Sequence, residues 1–194
     1  MRHLLLTILF APLAALASPV DDLRALTKDL RALSGEFTQQ TLDAAGKPTK
    51  TLSGSFSIAK GGKFRFDYVK PYKQVLVSDG AKFSTYDADL AQMTVRKLDQ
   101  SLAATPLAVL SGSTPIDSVF TLASAAEAEG LQWVSTTAKQ ADTAVTDLRF
   151  GLSGGALKAL TWTDLYGKRT MMKFGTLTRN GTVNENVFAF TPPA

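Results

Sequence analysis

The stretch that decides the fold runs from Phe64 to Val95, FRFDYVKPYKQVLVSDGAKFSTYDADLAQMTV. Phe64, Phe66 and Tyr68 alternate with Arg65, Asp67 and Val69, and Val75 and Val77 alternate with Leu76 and Ser78. A period of two puts successive side chains on opposite faces of a strand. Asp79-Gly80 lies between two such runs and is a two-residue hairpin signal, because the favoured hairpin turns need positive φ. Ala88-Asp89 follows Tyr86-Asp87 as a second turn before Met93-Thr94-Val95. The stretch reads as an antiparallel meander with an aromatic face, and it offers no place for a nucleophile and a base to meet.

Working outward, the chain before the meander carries a helix and then more strands. Ser18-Pro19 suits an N-cap and first helical residue, with Asp21 and Asp22 in the first turn. Val20, Leu23, Leu26, Leu30 and Leu33 recur every three or four residues, which predicts one amphipathic helix ending near Ser34-Gly35. The period changes to two from Glu36. Strands follow at Phe37–Leu42 and around Leu52, Gly54, Phe56 and Ile58, and Gly61-Gly62 turns the chain into the meander.

After Lys97 the pattern becomes helical. Thr105-Pro106 and Thr114-Pro115 each repeat the N-cap and proline start, predicting a short apolar helix to Leu110 and another toward Phe120. An apolar helical insertion between two blocks of strands reads as a lid over the sheet. Strands resume at Leu131–Val134, Ala144–Leu152, Leu157–Thr163 and Thr170–Thr178, and Asn180-Gly181 predicts a hairpin into a last strand, Val183–Phe190. The count is about eleven strands, joined by short turns and therefore antiparallel. That many strands in one sheet curl toward a barrel. The expected fold is mainly β with an α lid: an incomplete, unclosed antiparallel β-barrel covered by short helices, in one domain spanning residues 18–194.

Met1 to Ala17 has the form of a secretory signal, with Arg2, an apolar run from Leu4 to Leu16 and the small-x-small pattern Ala15-Leu16-Ala17. Cleavage after Ala17 would leave Ser18 first. The chain has no cysteine, so it has neither a disulfide framework nor a site for lipidation after the signal. An unanchored periplasmic protein is expected. The net charge of +4 comes from scattered Lys and Arg with no basic run, which argues against nucleic acid as a partner. His3, in the signal, is the one histidine. Beyond the signal, His- or Cys-based triads and the usual zinc sites are thus excluded. No catalytic set, metal or cofactor is expected.

Three short motifs have plainer readings. Ser57-Ile58-Ala59-Lys60 matches S-x-x-K, but that chemistry needs the lysine one helical turn from the serine, and on a strand the two point to opposite faces. Asp87-Ala88-Asp89 offers two carboxylates at a turn, too few for a hard cation. Asn180-Gly181-Thr182 fits a glycosylation acceptor, although the turn accounts for it. On the residues alone the apolar strand faces and helices close into a solid core or leave an apolar cavity, and close packing is the default.

A set of motifs runs along the chain: Phe37-Thr38-Gln39, Ser53-Gly54-Ser55-Phe56, Lys63-Phe64-Arg65-Phe66-Asp67-Tyr68, Pro71, and Val77-Ser78-Asp79-Gly80. Tyr86-Asp87-Ala88-Asp89-Leu90-Ala91-Gln92, Thr105-Pro106-Leu107, Asp164-Leu165-Tyr166-Gly167 and Phe190-Thr191-Pro192-Pro193 complete the set. Together they resemble the LolA family of outer-membrane lipoprotein carriers. The resemblance implies an unclosed barrel with a helical lid over an apolar cavity for acyl chains. It implies acylated lipoproteins as cargo, an inner-membrane lipoprotein-releasing ABC transporter as donor and an outer-membrane lipoprotein receptor as acceptor, with the carrier a monomer. The expected cavity lining is Phe37, Phe56, Phe64, Phe66, Phe83, Met93, Trp133, Phe150, Trp162 and Met172, with Leu26 and Leu30 from the first helix and Leu107 and Leu110 from the lid. The family's lid-holding arginine, which precedes a proline, is replaced in the run Ala59-Lys60-Gly61-Gly62 by Lys60, which keeps the charge without the planar fork. A different lipid or glycolipid in the same cavity, a Ser57/Lys60 hydrolase and a purely structural interaction domain stay open as alternatives.

Overall fold

A computed structural model describes residues 18–98, 110, 115–139 and 145–193. Helix α1 spans Pro19–Lys28. Then come β1 (Ala32–Leu42), β2 (Pro48–Ala59), β3 (Lys63–Lys70), β4 (Gln74–Asp79), β5 (Lys82–Asp87) and β6 (Gln92–Lys97). A single helical turn, α2 (Ile116–Val119), precedes β7 (Phe120–Ala128), β8 (Leu131–Ala138), β9 (Val145–Ser153), β10 (Ala156–Asp164) and β11 (Arg169–Arg179). The eleven strands form one antiparallel sheet in the order β6-β5-β4-β3-β2-β1-β11-β10-β9-β8-β7. Neighbours in space are neighbours in sequence everywhere except at β1–β11, the pairing that joins the two blocks. Among the described residues β6 and β7 stand at the two ends of the strand order and do not pair with each other, so the barrel is unclosed, as the sequence predicts.

The meander forms as its alternation requires. Asp79 Oδ1 accepts from the backbone N–H groups of Ala81 and Lys82, at 2.8 and 2.7 Å, and Gly80 takes φ +96° at the turn. Those two bonds hold the Asp79 carboxyl below its usual value. Arg65 and Asp67 point outward and pair at 2.8 Å, while Phe64 and Phe66 point inward and are buried.

Helix α1 starts as expected: the Ser18 hydroxyl accepts from Val20 N at 3.2 Å, with Pro19 next to it. It ends at Lys28, well before Gly35. Thr27 Oγ1 donates back to Leu23 O at 2.9 Å, and the chain is then captured by strand pairing from Ala32 onward. Asn180 secures the junction. Its Oδ1 accepts from Arg31 N at 2.7 Å and Ala32 N at 3.3 Å, and its Nδ2 donates to Asp29 O at 3.0 Å. Leu30 and Leu33 keep their apolar role, at 0% and 1% exposure, outside the helix.

Two strand assignments change. Phe120–Ala128, rich in Ala and without clear alternation, is edge strand β7, held by its backbone ladder to β8. Val183–Phe190 is not a strand. Asn180 has the positive φ of a turn, +54°, but β11 already has β1 on one side and β10 on the other. A hairpin strand after β11 would have no edge to join. The chain instead crosses the outer face of β3–β5 with a 3-10 turn, Glu185–Phe188. Phe188 is buried there, the Phe190 ring meets Tyr86 at 5.3 Å, and Arg65 Nη1 donates to Val187 O at 3.2 Å. The helix expected at Pro106–Leu110 lies outside the described residues except for Leu110.

Candidate functional site

Cross-strand register fixes which side chains share a face. Leu52, Gln39, Met172, Leu160, Phe150 and Val134 form one continuous row across β2, β1, β11, β10, β9 and β8. This row belongs to the inner face. A parallel inner row runs through Phe56, Phe66 and Leu76 on β2–β4. Helix α1 packs on β7–β10 and covers that part of the inner face. Leu23 of the helix and, beneath it, Val134, Leu148, Phe150, Leu152, Leu157 and Leu160 are almost inaccessible to solvent. This is a close-packed core.

Across β1 the interior is hollow. A cavity of about 210 Å³ lies between β2–β4 on one side and β10–β11 on the other, with Leu110 over it. Phe56, Phe66, Leu76, Leu160, Met172 and Phe174 supply most of its apolar wall, with Ile58, Val145 and Trp162. The aromatic rings brace one another: Phe37 meets Phe66 at 5.5 Å and Tyr68 at 5.1 Å edge-on, and Phe56 stacks on Phe66 at 5.5 Å. One polar pair interrupts this wall. The Tyr68 hydroxyl donates to Gln39 Oε1 at 3.0 Å. Burial, reinforced by Tyr72, pushes the Tyr68 phenol up to about 12, so it stays protonated and a donor. Gly54 lies between the two strands that carry the pair, and a Cβ there would collide with the Asp67 carbonyl oxygen. The close approach of β2 and β3 at this point therefore needs glycine.

The residues expected to line a cavity divide by position. Phe56, Phe66, Leu110, Trp162 and Met172 lie on its wall. Phe37, Phe64 and Phe83 belong to the ring cluster beside it. Leu26, Leu30 and Phe150 pack in the adjoining core. Met93 and Trp133 are corrections: both are on the outer face. Met93 pairs with Tyr86, whose ring lies against Phe190, and it faces the crossing C-terminal segment. Trp133 falls in the row Thr38, Lys173, Ala159, Gly151, one residue out of step with the inner row. Its ring lies over Gly151 and its Nε1 donates to Ala128 O at 3.1 Å. Leu107 lies outside the described residues. Lys60 is exposed at the β2–β3 turn, and its backbone N–H donates to Arg31 O at 3.1 Å.

The wall residues not anticipated are Gln39, Ile58, Tyr68, Leu76, Val145, Leu160 and Phe174. Leu76 was readable in principle, since it is the register partner of Phe66. Gln39 was hidden by its polarity. A larger depression of about 590 Å³ on the outer face, beside Trp133, carries paired charges: Lys173 with Glu129 at 3.2 Å and Arg149 with Asp147 at 2.8 Å. An alkyl chain placed there would strip water from those ions, an unfavourable exchange.

The profile of the family described as outer membrane lipoprotein carrier protein LolA matches residues 28–191. The chain belongs to the LolA family. An outer-membrane lipoprotein carrier protein of Dechloromonas aromatica is 40% identical over 183 residues, covering 94% of this chain and 88% of that protein. The namesake in Cupriavidus pinatubonensis is 37% identical over 182 residues, covering 92% and 86%. Among solved structures, an uncharacterized conserved protein from Thermus thermophilus superposes with a TM-score of 0.52 at 13% identity, covering 90% of this chain and 92% of that one. That likeness concerns the fold. In this LolA-family chain the antiparallel sheet is unclosed, and the hollow half of its interior is the feature with capacity for a ligand.

Proposed function

We propose that this chain is a periplasmic carrier that holds the acyl chains of lipoproteins in the cavity between β2–β4 and β10–β11. It takes them from an inner-membrane ABC transporter and delivers them to an outer-membrane receptor. It makes and breaks no covalent bond. Residues 1–17 act as a cleaved export signal, and residues 18–194 form one domain that works as an unanchored monomer. The observation that carries this reading is an apolar void of about 210 Å³ in a sheet whose other half is packed solid.

The size of the void sets the mechanism. It lies below the roughly 300–1,000 Å³ of ordinary ligand pockets, so the cavity widens on loading. Each methylene buried contributes about 0.8 kcal/mol. Release into water would forfeit that sum, so transfer needs a second apolar surface that replaces the contacts as they are lost. Closing again after delivery keeps the empty wall from solvent and limits aggregation. Lys60, at the β2–β3 turn, is the proposed basic residue for holding the lid.

Leu76→Asp tests the cavity, because Leu76 is half-buried and its replacement is compatible with a folded chain. Native mass spectrometry of protein recovered from the periplasm should find an acylated passenger on the wild type and none on Leu76→Asp. A folded Leu76→Asp variant with undiminished loading would overturn the assignment of the cavity.

A further inference from the structure

We propose that the Gln39 carboxamide, oriented by Tyr68, donates a hydrogen bond to an ester or amide carbonyl of the acylated ligand, so that the cavity selects acyl over alkyl lipids. This rests on the carrier reading above and adds a polar contact to it. Gln39 projects into the inner row between Leu52 and Met172, where every other member of the row is apolar. A carboxamide in such a place is unfavourable unless its polar atoms are engaged.

Half of that requirement is met within the fold. Gln39 Oε1 is occupied by the Tyr68 hydroxyl at 3.0 Å. A neutral phenol can donate or accept; here its O–H donates to Oε1, and burial keeps the proton in place. In this arrangement the carboxamide oxygen faces Tyr68, and Nε2, with two N–H donors, has no protein partner among the described residues and stays open to solvent on the half-buried Gln39, so in the empty cavity water can serve it. Tyr68 is itself held by the edge-on contact of its ring with Phe37. The unused valence is therefore a pair of donors on an apolar wall, held in place by a second residue. Hydrocarbon has nothing to offer it, and an ether oxygen is a weak acceptor. A carbonyl oxygen where an acyl chain joins its headgroup is the matching group. Among the described wall residues Trp162 is the other with a side-chain N–H.

The test compares two probes of equal chain length, dipalmitoylglycerol with ester links and dihexadecylglycerol with ether links, offered in equimolar mixture to the mature protein and read by native mass spectrometry. Wild type should retain the ester about 2- to 10-fold better, the range of one net hydrogen bond. Gln39→Met, similar in length and without donors, should bring the ratio close to one while still binding both probes. Tyr68→Phe should lower it part-way, since the carboxamide is then free to turn. An unchanged ratio in Gln39→Met, or a wild-type ratio of one with both probes bound, overturns this proposal alone. Failure of the wild type to bind either probe overturns the carrier reading and this inference with it.

Discussion

Under α1, Leu23, Leu148, Leu152 and Leu157 from the helix and two strands meet with almost no accessible surface. Across β1, Phe56, Phe66, Leu76 and Met172 alternate along their strands in the same way and line a cavity of about 210 Å³. The difference lies in the cover and in the shapes. Branched aliphatic side chains under a helix interdigitate, whereas the aromatic rings brace one another at ring distances of 5.1–5.5 Å and stop short of filling the middle. One half of the sheet serves as a foundation, and that rigidity lets the other half stay hollow without collapse.

Mutations that treat the halves unequally probe this division. The largest effect is expected from Leu23→Ala, which opens a cavity in the solid half and should lower unfolding free energy by about 2–5 kcal/mol in urea titration. A cost under about 1 kcal/mol would mean the foundation is looser than its burial indicates. Next comes alkaline pH, which acts through the hollow half. The Tyr68 phenol titrates near 12 in the folded chain against an ordinary value of 10.0. Between those values the folded state holds a proton that the unfolded state has lost, so stability falls as pH rises from about 10. The extra loss should reach roughly 2–3 kcal/mol by pH 12, at 1.36 kcal/mol per unit. Tyr68→Phe should remove that part of the alkaline slope, and a variant with the wild-type slope would place the effect elsewhere.

The sharpest comparison is also the smallest in energy. Val134→Leu enlarges a side chain in the solid half by one methylene and should cost about 1–3 kcal/mol. Leu76→Phe adds comparable bulk beside the void, should change stability by less than about 0.5 kcal/mol, and should reduce acyl loading. Equal costs at the two positions, measured by the same urea titration, would erase the distinction between solid and hollow.

Much of this was legible in the residues. The alternation of Phe64, Phe66 and Tyr68, the Asp79-Gly80 turn and the Ser18-Pro19 helix start each express a local rule: period two for strands, positive φ for a tight turn, an oxygen for an orphan N–H. Such rules act within a few neighbours, so the chain alone dictates them. They do not say which face of a strand is concave. Trp133 and Met93 went to the outer face because the register with β9 and β5 put them there. Tertiary pairing also ended α1 at Lys28, made β7 from a strand without alternation, and denied residues 183–190 a place in the sheet because both edges of β11 were taken. The void and its Gln39–Tyr68 pair belong to the same class. They arise where β1, β3, β10 and β11 converge from opposite ends of the chain, and no local pattern records how well distant side chains fill the space between them.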